Sequence, residues 1–399
     1  MKAVILAAGE GTRLRPFTTS EPKVMIPIAN RPIIQYVVEA LVKNGVREMA
    51  MVVGYKKERI MSYFGDGKAF GAKIEYIVQS KVLGQIGTGF ALGKARDYVK
   101  DEFLVLAGDN VIEPSTLTDI VNKAKGSAIV VTESQNPSKY GVVLLSGDNI
   151  AQIAEKPSER FSNIISTGIY RFDLGIFDAI GEATKDGDHR LTSAVQRMIP
   201  RNRFEAIFTS GSWRDVVYPW DLPSANAEAL AKVPQHTAGT VERGAHIKGT
   251  VSIGAGTVVS SGAHITGPVT IGENCELGPG VCISPETSIG DNVVLSPHVV
   301  LQQSLVMKNS FIGAGTMLSH SVVGEGVRIG PNCTADGEPA KVNADGELKS
   351  LETIGAMIGE GSVIGGNVSF RGGVIVGYGC RIAPGKTICV DLPNGSQVM

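Results

Sequence analysis

Residues 3–27, AVILAAGEGTRLRPFTTSEPKVMIP, set a glycine-rich turn directly behind a short apolar run, with Arg13, Arg15 and Lys23 just downstream. A buried strand ending in Leu6, Ala7 and Ala8 and turning through Gly9, Gly11 and Thr12 brings bare backbone N–H groups close to a ligand, and the nearby cations make that ligand anionic. A triphosphate fits such a cradle. The turn is not a P-loop, because Gly9 is followed by a second glycine after only one intervening residue and the threonine by arginine, not by the order G-x-x-x-x-G-K-[ST]. It also lacks the third glycine of the dinucleotide fingerprint, with Leu14 in that place and Pro16 close behind. A tight strand-to-helix turn without a ligand is the plain alternative, and it leaves the clustered cations unexplained. The second candidate is Asp109, in LVLAGDN. A carboxylate at a strand end can hold Mg2+ beside a triphosphate, and its alternative role is an Asx turn or a helix N-cap.

Positioning these groups requires strands that end on one rim. The first half of the chain alternates apolar, β-branched runs (AVILAA, EMAMVVG, AKIEYIVQ, EFLVLAGD) with helix-like segments such as RPIIQYVVEALVKNG. That alternation predicts an α/β, doubly wound (Rossmann-like) domain with a mainly parallel sheet. Ligands in such sheets sit beyond the carboxyl ends of the strands, where both the GEGTR turn and the GDN of 108–110 fall.

The chain has 399 residues, enough for two full cores, since single cores stop growing near ~250 to 300 residues. A net charge of −1 without a basic tract argues against nucleic acid or an anionic membrane as partner and for small molecules. The N-terminal apolar run is too short for a signal segment and no later run reaches ~18 apolar residues, which predicts a cytoplasmic protein. All five cysteines (Cys275, Cys282, Cys333, Cys380, Cys389) lie in the last third without a C-x-x-C pair, the pattern of packed, reduced thiols.

Past the helical ANAEALAKV and Pro234, an apolar residue recurs every sixth position: Ile247, Ile253, Val259, Ile265, Ile271, Leu277, Ile283, Ile289, Leu295 and Leu301. The phase resumes at Val306, Ile312 and Leu318, again at Val323 and Ile329, and after an excursion at 331–352 at Ile358, Ile364, Phe370, Val376, Ile382 and Ile388. A period of six suits neither a helix face nor an alternating strand, but it suits coils of three short strands, each presenting one apolar residue inward. Glycines beside these positions (Gly254, Gly272, Gly278, Gly290, Gly313, Gly330) are expected at corners with positive φ. The resulting domains are 1–232 and 233–399.

The whole stretch LAAGxGTRLxPxT…PKxMxP resembles the signature of the sugar-1-phosphate nucleotidyltransferases. The resemblance implies attack of a sugar-1-phosphate, such as glucose-1-phosphate or N-acetylglucosamine-1-phosphate, on the α-phosphorus of UTP or dTTP, with Mg2+ and release of pyrophosphate. The nucleophile is already anionic, so alignment and charge neutralisation carry the chemistry. By the same resemblance Arg13 and Lys23 act on the triphosphate, and Gln79 with Gly87–Thr88 reads the base, Phe90 standing where relatives often carry His. Asp215 in WRDVVYPWDL is the second metal ligand, with Asp221 as the lesser alternative and Val217 where a glycine is usual. Tyr140–Gly141, Glu155–Lys156 and Ser166–Thr167, with Ser166 in place of an asparagine, bind the sugar phosphate.

The six-residue repeat resembles the left-handed parallel β-helix of the hexapeptide transferases, whose prisms commonly form trimers or dimers of trimers. AKVNADGELKS and GCRIAPG are similar to bifunctional uridylyltransferases that also acetylate glucosamine-1-phosphate from acetyl-CoA. His320 would be the base there, although the tyrosine expected behind it is absent. Three functions follow as expectations: nucleotidyl transfer with the prism as assembly or regulatory element, the same with acetyl-CoA-dependent N-acetylation, or a scaffold without catalysis.

Overall fold

The apolar runs of the first half become strands whose order turns back on itself. Lys2–Ala7 (β1) is followed by helix Ile33–Lys43 (α1), strand Glu48–Val53 (β2), helix Lys57–Phe64 (α2), strand Lys73–Val78 (β3), helix Thr88–Gly93 (α3) and strand Phe103–Ala107 (β4). In α1 the buried residues Ile33, Ile34, Val37, Val38, Ala40 and Leu41 fall on one face at helical spacing. Strand β1 lies between β2 and β4 and is parallel to both, with Ala3 opposite Met49 on one side and Leu104 on the other. Beyond β2 lies β3, also parallel, so the order β3-β2-β1-β4 reverses at β1. A crevice opens at such a reversal, beyond the carboxyl ends of β1 and β4.

This computed structural model describes residues 1–80, 87–201, 203–209 and 211–399. Its chain divides into two compact units, Met1–Glu10 with Ile33–Asp215, and Gly11–Pro32 with Val216–Met399. The first unit continues with strand Asn110–Ile112 (β5), helix Ser115–Asn122 (α4) and strands Ala128–Glu133 (β6), Gly141–Ser146 (β7), Asn149–Glu155 (β8) and Ile164–Phe172 (β9). Helices Ile176–Lys185 (α5) and Leu191–Met198 (α6) and strands Glu205–Phe208 (β10) and Trp213–Asp215 (β11) complete it. Here the parallel expectation gives way to a mixed sheet. Strand β9 runs antiparallel to β4 and β6, and the nine-stranded order is β3-β2-β1-β4-β9-β6-β10-β8-β7. Phe103, Phe172 and Phe177 anchor the core beneath it, Phe103 and Phe177 stacking with centroids 5.6 Å apart.

The second unit contains a parallel β-helix of three sheets, of the left-handed class that the resemblance implies. Residues one coil apart stack in columns: Ile253, Ile271, Ile289, Val306, Val323, Ile358 and Val376 on one face. A second column runs Ile265, Ile283, Leu301, Leu318, Ala335 and Phe370. Ala335, which the repeat analysis passed over, fills a rung with the smallest of these side chains. The excursion resolves as a hairpin, Glu338–Ala344 paired with Glu347–Ile354. Helix Leu222–Leu230 (α7) belongs to this unit and precedes the prism.

The corner glycines act differently from expectation. Gly254, Gly272, Gly278, Gly290, Gly313 and Gly330 have no positive φ. A Cβ on Gly254 would lie 2.5 Å from the Gly272 carbonyl oxygen, so they are glycines because the next coil's backbone passes too close for a side chain. Positive φ falls instead on other glycines of the coils, such as Gly256, Gly262, Gly280 and Gly315, and on asparagines such as Asn274, Asn292 and Asn309, the non-glycine residue most tolerant of it. The cysteines are all free: Cys275, Cys333 and Cys380 are buried, Cys282 half-buried and Cys389 exposed. Among the described residues no helix is long and apolar enough to cross a membrane.

Candidate active site

In the first unit the carboxyl ends of the parallel strands carry the expected groups. After β1 the Ala8 carbonyl accepts the Tyr55 N–H at 3.3 Å, and the Leu6 carbonyl accepts the Gly108 N–H at 2.9 Å. These bonds tie the turns after β1, β2 and β4 into one rim. A Cβ on Gly108 would lie 3.1 Å from the Leu6 carbonyl oxygen, and one on Gly54 2.9 Å from that of Ala8, so both positions need glycine for close approach. Gln79, at the end of β3, donates its N–H to the Val53 carbonyl at 2.8 Å. Its Oε1 is buried without a hydrogen-bond partner among the described residues, which suits a group held ready for a ligand donor.

Asp109 lies in the turn directly before β5, and Asp215 lies on β11, the strand that pairs with β5. Asp215 on β11 stands opposite Asn110 on β5, one residue beyond Asp109. Asn110 is itself 4% exposed, and its Oδ1 has no partner among the described residues. Two carboxylates beside an unsatisfied amide oxygen form an oxygen-only donor set. Mg2+ takes one or two carboxylates and leaves its other positions to substrate phosphate and water, so these residues fit that ion. Asp221 serves a different end: its carboxylate accepts the Val217 and Tyr218 N–H groups at 3.0 and 2.8 Å, as a cap ahead of α7.

The sugar-side residues also meet. The Lys156 N–H donates to the Tyr140 carbonyl at 2.9 Å, and Glu155 pairs in register with Gly141. A Cβ on Gly141 would stand 3.5 Å from the Glu155 carboxylate and 3.7 Å from the Ser166 side chain. Trp213 packs edge-on against Tyr140 at 5.7 Å and donates its indole N–H to the Thr167 carbonyl at 2.9 Å. The hydroxyls of Ser166 and Thr167 are turned inward: Ser166 donates to the Tyr170 hydroxyl at 2.9 Å and Thr167 to the Val130 carbonyl at 2.8 Å. Burial pushes the Tyr170 hydroxyl pKa up to about 12, with the Ser166 bond opposing it, so the pair stays neutral. Lys156, just past β8, takes φ of 43°, a conformation disfavoured for lysine, whereas Gly168, within β9, takes 79°, which glycine adopts freely.

Gly87 and Thr88 sit at the start of α3. A Cβ on Gly87 would lie 2.3 Å from the His189 carbonyl oxygen, and the Thr88 hydroxyl accepts the Leu191 N–H at 3.1 Å. His189 in turn packs edge-on against Phe90 at 6.2 Å, placing an imidazole beside the position where a histidine was expected in α3. Between Gln79 and Gly87, residues 81–86 lie outside the described residues.

Within the second unit, Gly11 has φ of 67° and opens a single 3-10 turn, Thr12–Leu14. A Cβ there would stand 2.5 Å from the Lys23 Cβ, so Gly11 is fixed both by its backbone conformation and by contact with the lysine. Its carbonyl accepts the Thr18 hydroxyl at 2.8 Å. Lys23 is buried, with 8% exposure, whereas the Arg13 guanidinium is open and reaches Asp345, at the tip of the prism hairpin, at 3.8 Å. Tyr218 donates its hydroxyl to the same carboxylate at 2.7 Å.

The sequence model described as Nucleotidyl transferase matches residues 2–232. The chain belongs to the nucleotidyl transferase family. A second model, GMPPB C-terminal domain, matches residues 265–397. The chain is 41% identical to the bifunctional protein GlmU of Methanococcus maripaludis strain C7, covering all of this chain and 97% of that protein. It is 33% identical to a bifunctional sugar-1-phosphate nucleotidylyltransferase/acetyltransferase of Sulfurisphaera tokodaii, covering 99% of each. A solved UDP-glucose pyrophosphorylase complexed with UDP-glucose overlays with a TM-score of 0.52 at 27% identity, over 58% of this chain and 99% of that one.

Sequence reasoning missed several residues of this nucleotidyl transferase. Asn110 follows Asp109 in GDN, and its adjacency was the available signal. Gly54 and Gly108 each follow a strand, a position that close packing at a rim explains. His189 lay in view as the only histidine of the first 235 residues, but nothing in the sequence paired it with Phe90. In the prism, His320 has φ of 48° and its Nδ1 lies 2.9 Å from the Ser319 hydroxyl. Burial lowers its pKa, with Glu286 pulling the other way, which favours the neutral imidazole a base requires.

Proposed function

We propose that this nucleotidyl transferase joins a sugar-1-phosphate to the nucleotidyl group of UTP or dTTP. A phosphate oxygen of the sugar-1-phosphate forms the new bond to the α-phosphorus, the α–β anhydride bond breaks, and pyrophosphate leaves. The observation that supports the reading is the pairing of β5 with β11, in which Asp215 stands opposite Asn110, the residue after Asp109. Mg2+, when bound, would neutralise triphosphate charge, and Asp109 and Asp215 would hold it. Arg13 and Lys23, with the backbone of Gly9, Gly11 and Thr12, offset charge on the departing pyrophosphate. Leu6, Ala7 and Ala8 shape the nucleotide side, while Gln79, Gly87 and Thr88 face the base. Tyr140, Gly141, Glu155, Lys156, Ser166 and Thr167 form the sugar-phosphate side, Ser166 and Thr167 through their backbone because their hydroxyls are engaged elsewhere.

Residues 1–232 carry this activity, and 233–399 form the prism that assembles the protein as a trimer or dimer of trimers in the cytoplasm. The burial-shifted His320 favours a second reaction, N-acetylation of an amino-sugar-1-phosphate from acetyl-CoA with His320 as base. Pyrophosphate release measured over UTP and dTTP against glucose-1-phosphate and N-acetylglucosamine-1-phosphate tests the first reaction; release in at least one pair is expected, and none would refute it. Thiol release from acetyl-CoA with glucosamine-1-phosphate, abolished in His320→Ala, is expected for the second.

A further inference from the structure

Helix α7 buries one apolar face, Leu222, Ala225, Ala229 and Leu230, and in the middle of that face stands Asn226, 1% exposed. A polar side chain in an apolar stripe is costly unless its bonds are made. Those of Asn226 join three segments of the second unit. Its Oδ1 accepts the Ala29 N–H at 2.9 Å and the Ser288 hydroxyl at 2.8 Å, and its Nδ2 donates to the Glu286 carbonyl at 3.1 Å. Beside it the Asn30 amide donates to the Ile289 carbonyl at 2.6 Å. Ala29 and Asn30 have φ of 46° and 62°, a conformation that asparagine tolerates and alanine does not favour. Glu286 and Ser288 belong to the prism, and Ala29 closes the segment Gly11–Pro32 that carries Arg13 and Lys23.

We infer that Asn226 is a positioning residue for nucleotidyl transfer, fixing the segment that bears Arg13 and Lys23 to the early coils of the prism. The inference rests on the reading of Arg13 and Lys23 given under Proposed function. An apolar residue at 226 would leave the Ala29 N–H and the Glu286 carbonyl buried and unpaired, and would free the segment to shift. A misplacement of about 1 Å can cost about 100-fold in rate when alignment carries the catalysis.

The test uses the full chain, with whichever of UTP or dTTP supports pyrophosphate release by the wild type. Asn226→Ala should lower kcat/KM for the nucleotide about 10- to 100-fold while KM for the sugar-1-phosphate changes less than about 2-fold. Asn226→Asp, which keeps an oxygen for both donors but cannot donate to the Glu286 carbonyl, should recover only part of that loss. Ser288→Ala removes only one of the donors and should cost about 3-fold; it decides the matter if Asn226→Ala does not fold. Hydrogen exchange at the Ala29 amide should quicken in Asn226→Ala while inner prism amides keep their rates. Wild-type nucleotide kinetics in both alanine variants, or equal losses for the two substrates, would overturn the inference. A wild type that releases no pyrophosphate would instead sink the functional reading, and the exchange experiment would still report whether Asn226 holds the segment.

Discussion

The mixed sheet of the first unit and the prism of the second solve the burial of apolar strands in opposite ways. In the sheet every strand is different, and the turns of the candidate site fall where the order reverses, at the ends of β1 and β4. In the prism each coil repeats the last, so Ile271, Ile289 and their column neighbours are interchangeable in role. Its singular feature lies where repetition fails, at the hairpin between Glu338 and Ile354, whereas the left-handed backbone of His320 repeats that of Glu286 and Gln303 in the preceding coils. The repeated coils therefore carry the stability of the prism, while the candidate site of the sheet lies at a break in its regularity.

The sharpest way to break this contrast is to change one residue of each kind. Asp109→Ala, at the rim, should reduce pyrophosphate release at least about 1,000-fold, or ~4 kcal/mol in the barrier. Its melting temperature should stay near wild type. Ile312→Ala, in a fully buried prism rung, should do the reverse: a loss of about 3 kcal/mol in unfolding free energy, with kcat per folded molecule within about 2-fold of wild type. If the prism variant lost catalysis while remaining folded, the division of roles would be wrong.

Gly11→Ala should cost about 2 kcal/mol, because its φ of 67° and the 2.5 Å approach to Lys23 both oppose a side chain. The loss should appear chiefly in KM for the nucleotide. The smallest effect concerns His320. Its folded pKa lies below the ordinary 6.5, so the unfolded chain binds the proton first as pH falls. The corresponding stability is fully present above pH 6.5 and is lost as pH drops toward the folded value. Between pH 8 and 5.5 the wild type should therefore lose slightly more melting temperature than His320→Gln. An identical pH dependence would show that burial does not perturb this histidine.

Much of this was legible in the sequence because it is written in periods. Six-residue spacing gave the inward column of the prism, and strand-helix alternation gave the parallel half of the sheet. Antiparallel β9 was not visible, since pairing between distant strands leaves no local mark and depends on tertiary packing. Ala335 was missed because an alanine rung carries too little hydrophobicity to stand out. The glycines beside the repeat were located correctly but assigned the wrong cause, as a sequence cannot separate a positive φ from a close backbone approach. Of the candidate site, Asp109, Glu155 and Lys156 came from recognisable motifs. The bonds of Asn226 to Ala29 and Ser288 join residues far apart in the chain, and no spacing rule reaches across that distance.

The central claim is that the rim at β1 and β4 performs nucleotidyl transfer. Phosphorus NMR of the purified full chain with Mg2+, UTP or dTTP and a sugar-1-phosphate tests it most directly, run beside Asp109→Ala. The account predicts one pyrophosphate for each NDP-sugar formed by the wild type, with both signals at least about 1,000-fold slower to appear in the variant. Equal rates in the two proteins, or no NDP-sugar from any pair, would contradict it.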